Sequence, residues 1–150
     1  GYLFSSWTGD VTNPTSSATT IVMSENKTVA ANFNAIAQSL TGTVSSKSGS
    51  QGSRRWTLRV NNPNAYTVNS VNLYNFSLAQ TAGPACSPVL TNPTTFPVSV
   101  GNISAGSYRT YQVTINFNGC NSTTRFTANF SFAGNNGADW GSASVTNQAQ

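Results

Sequence analysis

The 150 residues are about one domain's worth of chain, and only 7% of them are charged, where an average soluble domain carries roughly 25%; seven Lys+Arg against three Asp+Glu leave a net +4. Ser, Thr and Asn supply 60 residues, so hydroxyls and amides make the surface polar, while eight Phe, five Tyr and three Trp in a 37% hydrophobic chain exclude disorder. The lack of His removes the usual general base and neutral metal ligand, and with no apolar run of roughly 18 to 20 residues and no basic-then-apolar leader the chain reads as a soluble, mature or excised segment.

No stretch keeps a helical period, and turn residues recur about every ten positions, the spacing of an all-β sandwich or barrel. Residues 1–34 form a first, short β-hairpin unit: an aromatic opening segment, a polar turn through Asn13 and Pro14, then strands at 19–23 and 28–33 around the turn at 24–27. A linker is expected at 35–39. Residues 40–150 then have the length of one immunoglobulin-like sandwich of seven to eight strands, preferred here over a closed barrel. Its first strand is expected at 40–46, followed by a flexible loop at 49–53. The strand at 55–61 puts Trp56, Leu58 and Val60 on one face and Arg55, Thr57 and Arg59 on the other. Residues 67–80 change phase between Val71/Leu73 and Phe76/Leu78, which calls for a bulge, or a bend between two strands, near Tyr74 and Asn75. A Pro-rich stretch at 83–97 precedes a short strand holding Val98 and Val100 and a turn at 101–107. Tyr111, Val113, Ile115 and Phe117 then alternate with polar residues, as do Phe126, Ala128, Phe130 and Phe132, and residues 140–147 close the sheet.

The seven basic residues are scattered apart from Arg54, Arg55 and Arg59, which is too sparse a stripe to neutralise several phosphates, so no nucleic-acid partner is expected. Cys86 and Cys120 lie in loop contexts, cannot complete a zinc site on their own, and are expected to form one disulfide in a secreted or cell-surface chain.

Gly1-Tyr2-x-Phe4-x-x-Trp7-x-Gly9-Asp10, with Thr20-Ile-Val-Met23 and Asn26-Lys27-Thr28-Val29-x-Ala31-x-Phe33, resembles the C-terminal half of the divergent internalin-B-type repeat of bacterial surface and secreted proteins. Half a repeat cannot bury its own face, so Tyr2, Phe4, Trp7, Val22, Val29 and Phe33 are expected to seek a partner surface, a second copy or a neighbouring module. Residues 40–150 resemble, more loosely, immunoglobulin-like accessory modules of bacterial extracellular proteins, through Trp56-Thr-Leu-Arg-Val-Asn-Asn62, Val98-x-Val-Gly-Asn-Ile103-x-Ala-Gly106 and Tyr111-x-Val-x-Ile-x-Phe117. That resemblance implies a fold and an extracellular setting, not a ligand.

Catalysis is not expected. Asp10, Glu25 and Asp139 stand in separate polar turns, no hydroxyl has a His to activate it, and Lys27 and Lys47 read as exposed turn residues. No cofactor is expected beyond, at most, a weak structural calcium held by Asp139 or Asp10 among carbonyls. The chemistry that suits a low-charge, hydroxyl- and amide-rich surface is polysaccharide binding, in which sugar rings stack on exposed aromatics. Trp140, Tyr66, Tyr108 and Tyr74 are the candidates, each at a strand end, a turn or the phase change, whereas Trp56 and Trp7 are in phase with apolar neighbours and belong to cores. The competing reading is a structural or adhesive module that assembles by strand addition through residues 1–34. Three or more coplanar exposed rings would favour the glycan; an exposed apolar edge on residues 1–34 would favour assembly.

Overall fold

The computed structural model describes residues 2–35 and 39–150, so the expected linker falls largely on 36–38, outside the described residues. The chain divides into two compact units, Gly1–Ala37 and Gln38–Gln150. Among the described residues their regular structure is antiparallel β, with two single 3-10 turns, Gln51–Ser53 and Asn135–Gly137.

In the first unit, β1 (Tyr2–Thr8) pairs with β2 (Ala30–Ala35). The strand expected at 19–23 does not form, and residues 9–29 are an irregular excursion. Local bonds take up its backbone groups instead. The Trp7 amide donates to the Pro14 carbonyl at 2.7 Å and the Thr12 amide to that of Thr20 at 2.9 Å, while the Asn13 amide donates to Thr19 Oγ1 at 3.0 Å. Phe4 pairs with Phe33 but Ser6 with Asn32, so β1 carries one extra residue at Ser5. That bulge turns Phe4 and Trp7, three positions apart, onto one face, where their ring centroids lie 5.4 Å apart. Trp7, expected in a core, is only half-buried, because a lone strand pair is one layer and the excursion meets its indole through a single bond from Nε1 to the Ser16 carbonyl, at 2.9 Å.

The second unit contains β3 (Thr41–Ser48), β4 (Arg54–Asn61), β5 (Val68–Ala82), β6 (Val89–Asn92), β7 (Val98–Ile103), β8 (Tyr108–Asn116), β9 (Arg125–Gly134) and β10 (Asp139–Gln148). They form two four-stranded sheets, ordered β3-β4-β8-β6 and β10-β9-β5-β7, as an antiparallel sandwich. The alternations read from the sequence are the inward faces: Trp56, Leu58, Val60, Val113, Ile115, Phe126, Ala128, Phe130 and Phe132 are all buried. Ring contacts run unbroken through the core from Phe126 to Phe117, Trp56, Phe76, Phe130 and Phe132, with centroids 5.5 to 6.4 Å apart.

The phase change in β5 is a bulge within one 15-residue strand, not a bend between two. Leu73 pairs with Phe132 and Asn75 with Ser131, which makes Tyr74 the extra residue. Further bulges separate Val44 from Lys47 and Val68 from Val71, so inward residues three apart straddle a bulge each time. The short strand β6 was not foreseen inside the Pro-rich stretch. It fits between Pro88 and Pro93 because it is an edge strand, paired only with β8, where missing proline donors do no harm.

Candidate functional site

The outer face of the β10-β9-β5-β7 sheet consists of the residues that alternate with the core: Trp140, Ser142 and Ser144 on β10, Thr127, Asn129, Ser131 and Ala133 on β9, and Asn72, Tyr74, Asn75 and Ser77 on β5. Trp140 stands opposite Ala133, whose other neighbour is Asn72. The Tyr74 bulge pushes its ring outward, 48% exposed, while Trp140 is half-buried. The two aromatics therefore share a face two strand spacings apart, about 10 Å, over small neutral residues. Asn75 Nδ2 donates to Ser131 Oγ at 2.8 Å, which fixes one amide of that floor. No charged side chain projects from the rows between the two rings.

Tyr66 and Tyr108 lie elsewhere. Tyr108, 49% exposed, opens β8 on the outer face of the opposite sheet, where the Arg59 guanidinium covers one side of its ring at 3.7 Å from the centroid. Tyr66, 52% exposed, sits in the loop between β4 and β5, and its hydroxyl donates to Asp139 Oδ1 at 2.7 Å. Asp139 is not an exposed turn residue. It is buried at the start of β10, where Ser39 Oγ also donates to Oδ1 and Asn135 Nδ2 to Oδ2, both at 2.8 Å. Burial pushes its carboxyl up, but the bonds from Tyr66, Asn135 and Ser39 outweigh that and hold it below the usual carboxylate value. The same bond raises the Tyr66 phenol, with burial and the Asp139 charge adding to it. A cation on Asp139 would have to displace these donors, and Asp10 is engaged by Lys27.

Asn62 was not singled out in the sequence, yet it positions Tyr66. Its buried Nδ2 reaches the carbonyls of Tyr66 (2.7 Å), Ile103 (3.0 Å) and Ser104 (3.2 Å), and its Oδ1 accepts from the Asn64 amide at 3.1 Å. The signal was the Asn-Asn-Pro-Asn turn, where an Asn side chain bonds backbone two residues on.

Lys47 departs from its expected place in an exposed turn. It lies on β3 opposite Trp56, with Nζ 4.1 Å from the Trp56 ring centroid and donating to the Ala149 carbonyl at 2.6 Å. Burial, with the charges of Arg125 and Arg54 nearby, lowers its amine to about 8. Cys86 and Cys120 are joined, with Cα atoms 5.2 Å apart.

Residues 1–37 match the family described as the divergent InlB B-repeat domain. No curated protein and no solved structure matches the chain. That repeat family is found in extracellular bacterial proteins, and the disulfide is consistent with such a setting. The match ends at residue 37, so the fold of the second unit rests on its own strands, and its resemblance to immunoglobulin-like modules gains nothing from the match.

Proposed function

We propose that the second unit is a non-catalytic, immunoglobulin-like accessory module of a secreted or surface bacterial protein that binds a neutral polysaccharide on the outer face of the β10-β9-β5-β7 sheet. The observation that carries this reading is the uncharged floor of Asn, Ser and Ala side chains between Tyr74 and Trp140. Neutral hydroxyls and amides exchange hydrogen bonds with sugar hydroxyls without the desolvation cost of a charge, and the two rings offer apolar faces to sugar C–H groups. Tyr66 and Tyr108 drop out of the ligand set, one by its bond to Asp139 and the other by its Arg59 cover. The non-catalytic reading is supported by the carboxylates: Asp10 is tied to Lys27 and Asp139 is buried among three donors.

Retention on insoluble cellulose, chitin, xylan and starch tests the proposal. Binding to one of them should weaken about ten-fold in Trp140→Ala and in Tyr74→Ala, as for an anchor residue of an interface, and stay unchanged in Tyr108→Ala. Retention on none of the four would end the reading.

A second reading, a structural or adhesive module, is favoured by the exposure of Tyr2, Val22, Met23 and Phe33 in the first unit. Neither outer sheet face of the second unit carries three aromatics among the described residues, so the ring criterion does not favour the glycan over it.

A further inference from the structure

The two sheets of the sandwich leave an opening on one side. β7 pairs with β5 only as far as Leu73, so from residue 75 to 82 β5 has a ladder partner on one side alone, β9. In the facing sheet β6 is an edge paired only with β8. Between these free edges lies a cleft of about 370 Å³ whose walls include Phe76, Leu78, Pro88, Leu90, Ile115 and Phe126. The segment crossing from β5 to β6 forms one wall of it through Cys86, Ser87 and Pro88 and is fixed in place by side chains. Gln80 Nε2 donates to the carbonyls of Gly83 and Pro84, both at 3.0 Å, and Gln80 Oε1 accepts from the Cys86 amide at 3.0 Å. The disulfide to Cys120 anchors the same segment. A cleft that mixes these apolar walls with Ser77, Gln80 and Ser87 and is flanked by unpaired strand edges is complementary to one more strand, with backbone groups for the edge and alternate side chains for the cleft.

The first unit holds a segment of matching chemistry. Thr20-Ile21-Val22-Met23 is β-prone and uncharged, yet it joins no ladder among the described residues. Val22 is 75% and Met23 67% exposed. At its Thr20 end the segment is tethered, the Thr20 carbonyl accepting from the Thr12 amide at 2.9 Å and from Thr12 Oγ1 at 3.1 Å. As a strand it would place Ile21 and Met23 on one face, the spacing that fills such a cleft.

Resting on the second reading above, we propose that the cleft between β5 and β6 accepts residues 20–23 of a second copy of this chain as an added strand. Donor and acceptor are different surfaces, so the contact propagates, closes into a ring, or is exchanged reciprocally between two copies.

Light scattering of the full chain over a range of concentrations should show dimers or larger species, and Met23→Asp, a change at an exposed site, should return the chain to monomer. Oligomers that persist in Met23→Asp would overturn this contact while leaving assembly itself standing; a wild-type chain that stays monomeric would remove both. A labelled synthetic peptide of residues 17–25 should bind the Met23→Asp chain in fluorescence anisotropy, and about ten-fold more weakly after a further Leu90→Asp. Should Leu90→Asp disturb the fold, amide exchange decides. The peptide should slow exchange in residues 75–82 and 89–92, and protection elsewhere, or none, would overturn the proposal.

Discussion

The two units are built from the same polar, charge-poor sequence but bury it differently. In the first, one strand pair gathers Phe4, Trp7 and Phe33 into a small ring cluster and leaves Tyr2, Val22, Met23 and Phe33 exposed. In the second, eight strands in two layers bury Trp56, Phe117, Phe126, Phe130 and Phe132 almost completely. Alternation makes an amphipathic strand in both cases, and a second layer is what turns that amphipathicity into a core. The first unit is held by turn-to-turn hydrogen bonds and the Lys27–Asp10 pair on its surface, whereas the second has a disulfide and a buried polar network. Perturbations aimed at the second unit's devices should therefore have no counterpart in the first.

The largest effect is expected from the disulfide. Replacing Cys86 and Cys120 by Ser opens a loop closed over 34 residues, and the chain-entropy model puts the loss at roughly 4 kcal/mol. Denaturant titration should show the second unit's transition moving to lower concentration, while amide exchange in β1 and β2 stays unchanged. A parallel change in β1 and β2 would break the distinction between the units. Next is Asn62→Ala, which strands the carbonyls of Ile103 and Ser104 and frees the loop carrying Tyr66; a loss of about 2 to 3 kcal/mol is expected by the same titration.

The smallest effect is the one that depends on pH. The Lys47 amine sits at about 8 in the folded chain, against about 10.4 in an unfolded one, so between these values the unfolded state binds more protons and stability rises with pH. The gain, screened by solvent because Lys47 is only half-buried, is of order 1 kcal/mol. Thermal melts from pH 7.5 to 10 should climb for the wild type, and Lys47→Met should start higher and lose the climb.

Much of this architecture is legible in the chain. Period-two alternation identifies the inward faces of β4, β8 and β9 because those strands are central and paired on both sides. The phase change locates the bulge at Tyr74. Residues 19–23 show the limit of pattern, since strand propensity alone yields no strand where the segment joins no ladder and its neighbours' backbone is taken up by local bonds. Strand β6 shows the converse: a sequence crowded by prolines still pairs when it needs only one edge. The candidate site was legible as a list of aromatics but not as a face, because which rings share a surface depends on sheet order. Tyr66 and Tyr108 looked like Tyr74 in the sequence, and hydrogen bonding to a buried Asp139 and cover by Arg59 are products of tertiary pairing.

The bulges at Ser5, Ser45 and Tyr74 also bear on how such a chain tolerates change in length. Deleting a residue from a regular strand reverses the facing of everything beyond it. Deleting the extra residue of a bulge leaves Phe4 and Trp7, Val44 and Lys47, or Leu73 and Phe76 two apart and still on one face. At each of these positions the strand can shorten by one codon and keep its facing.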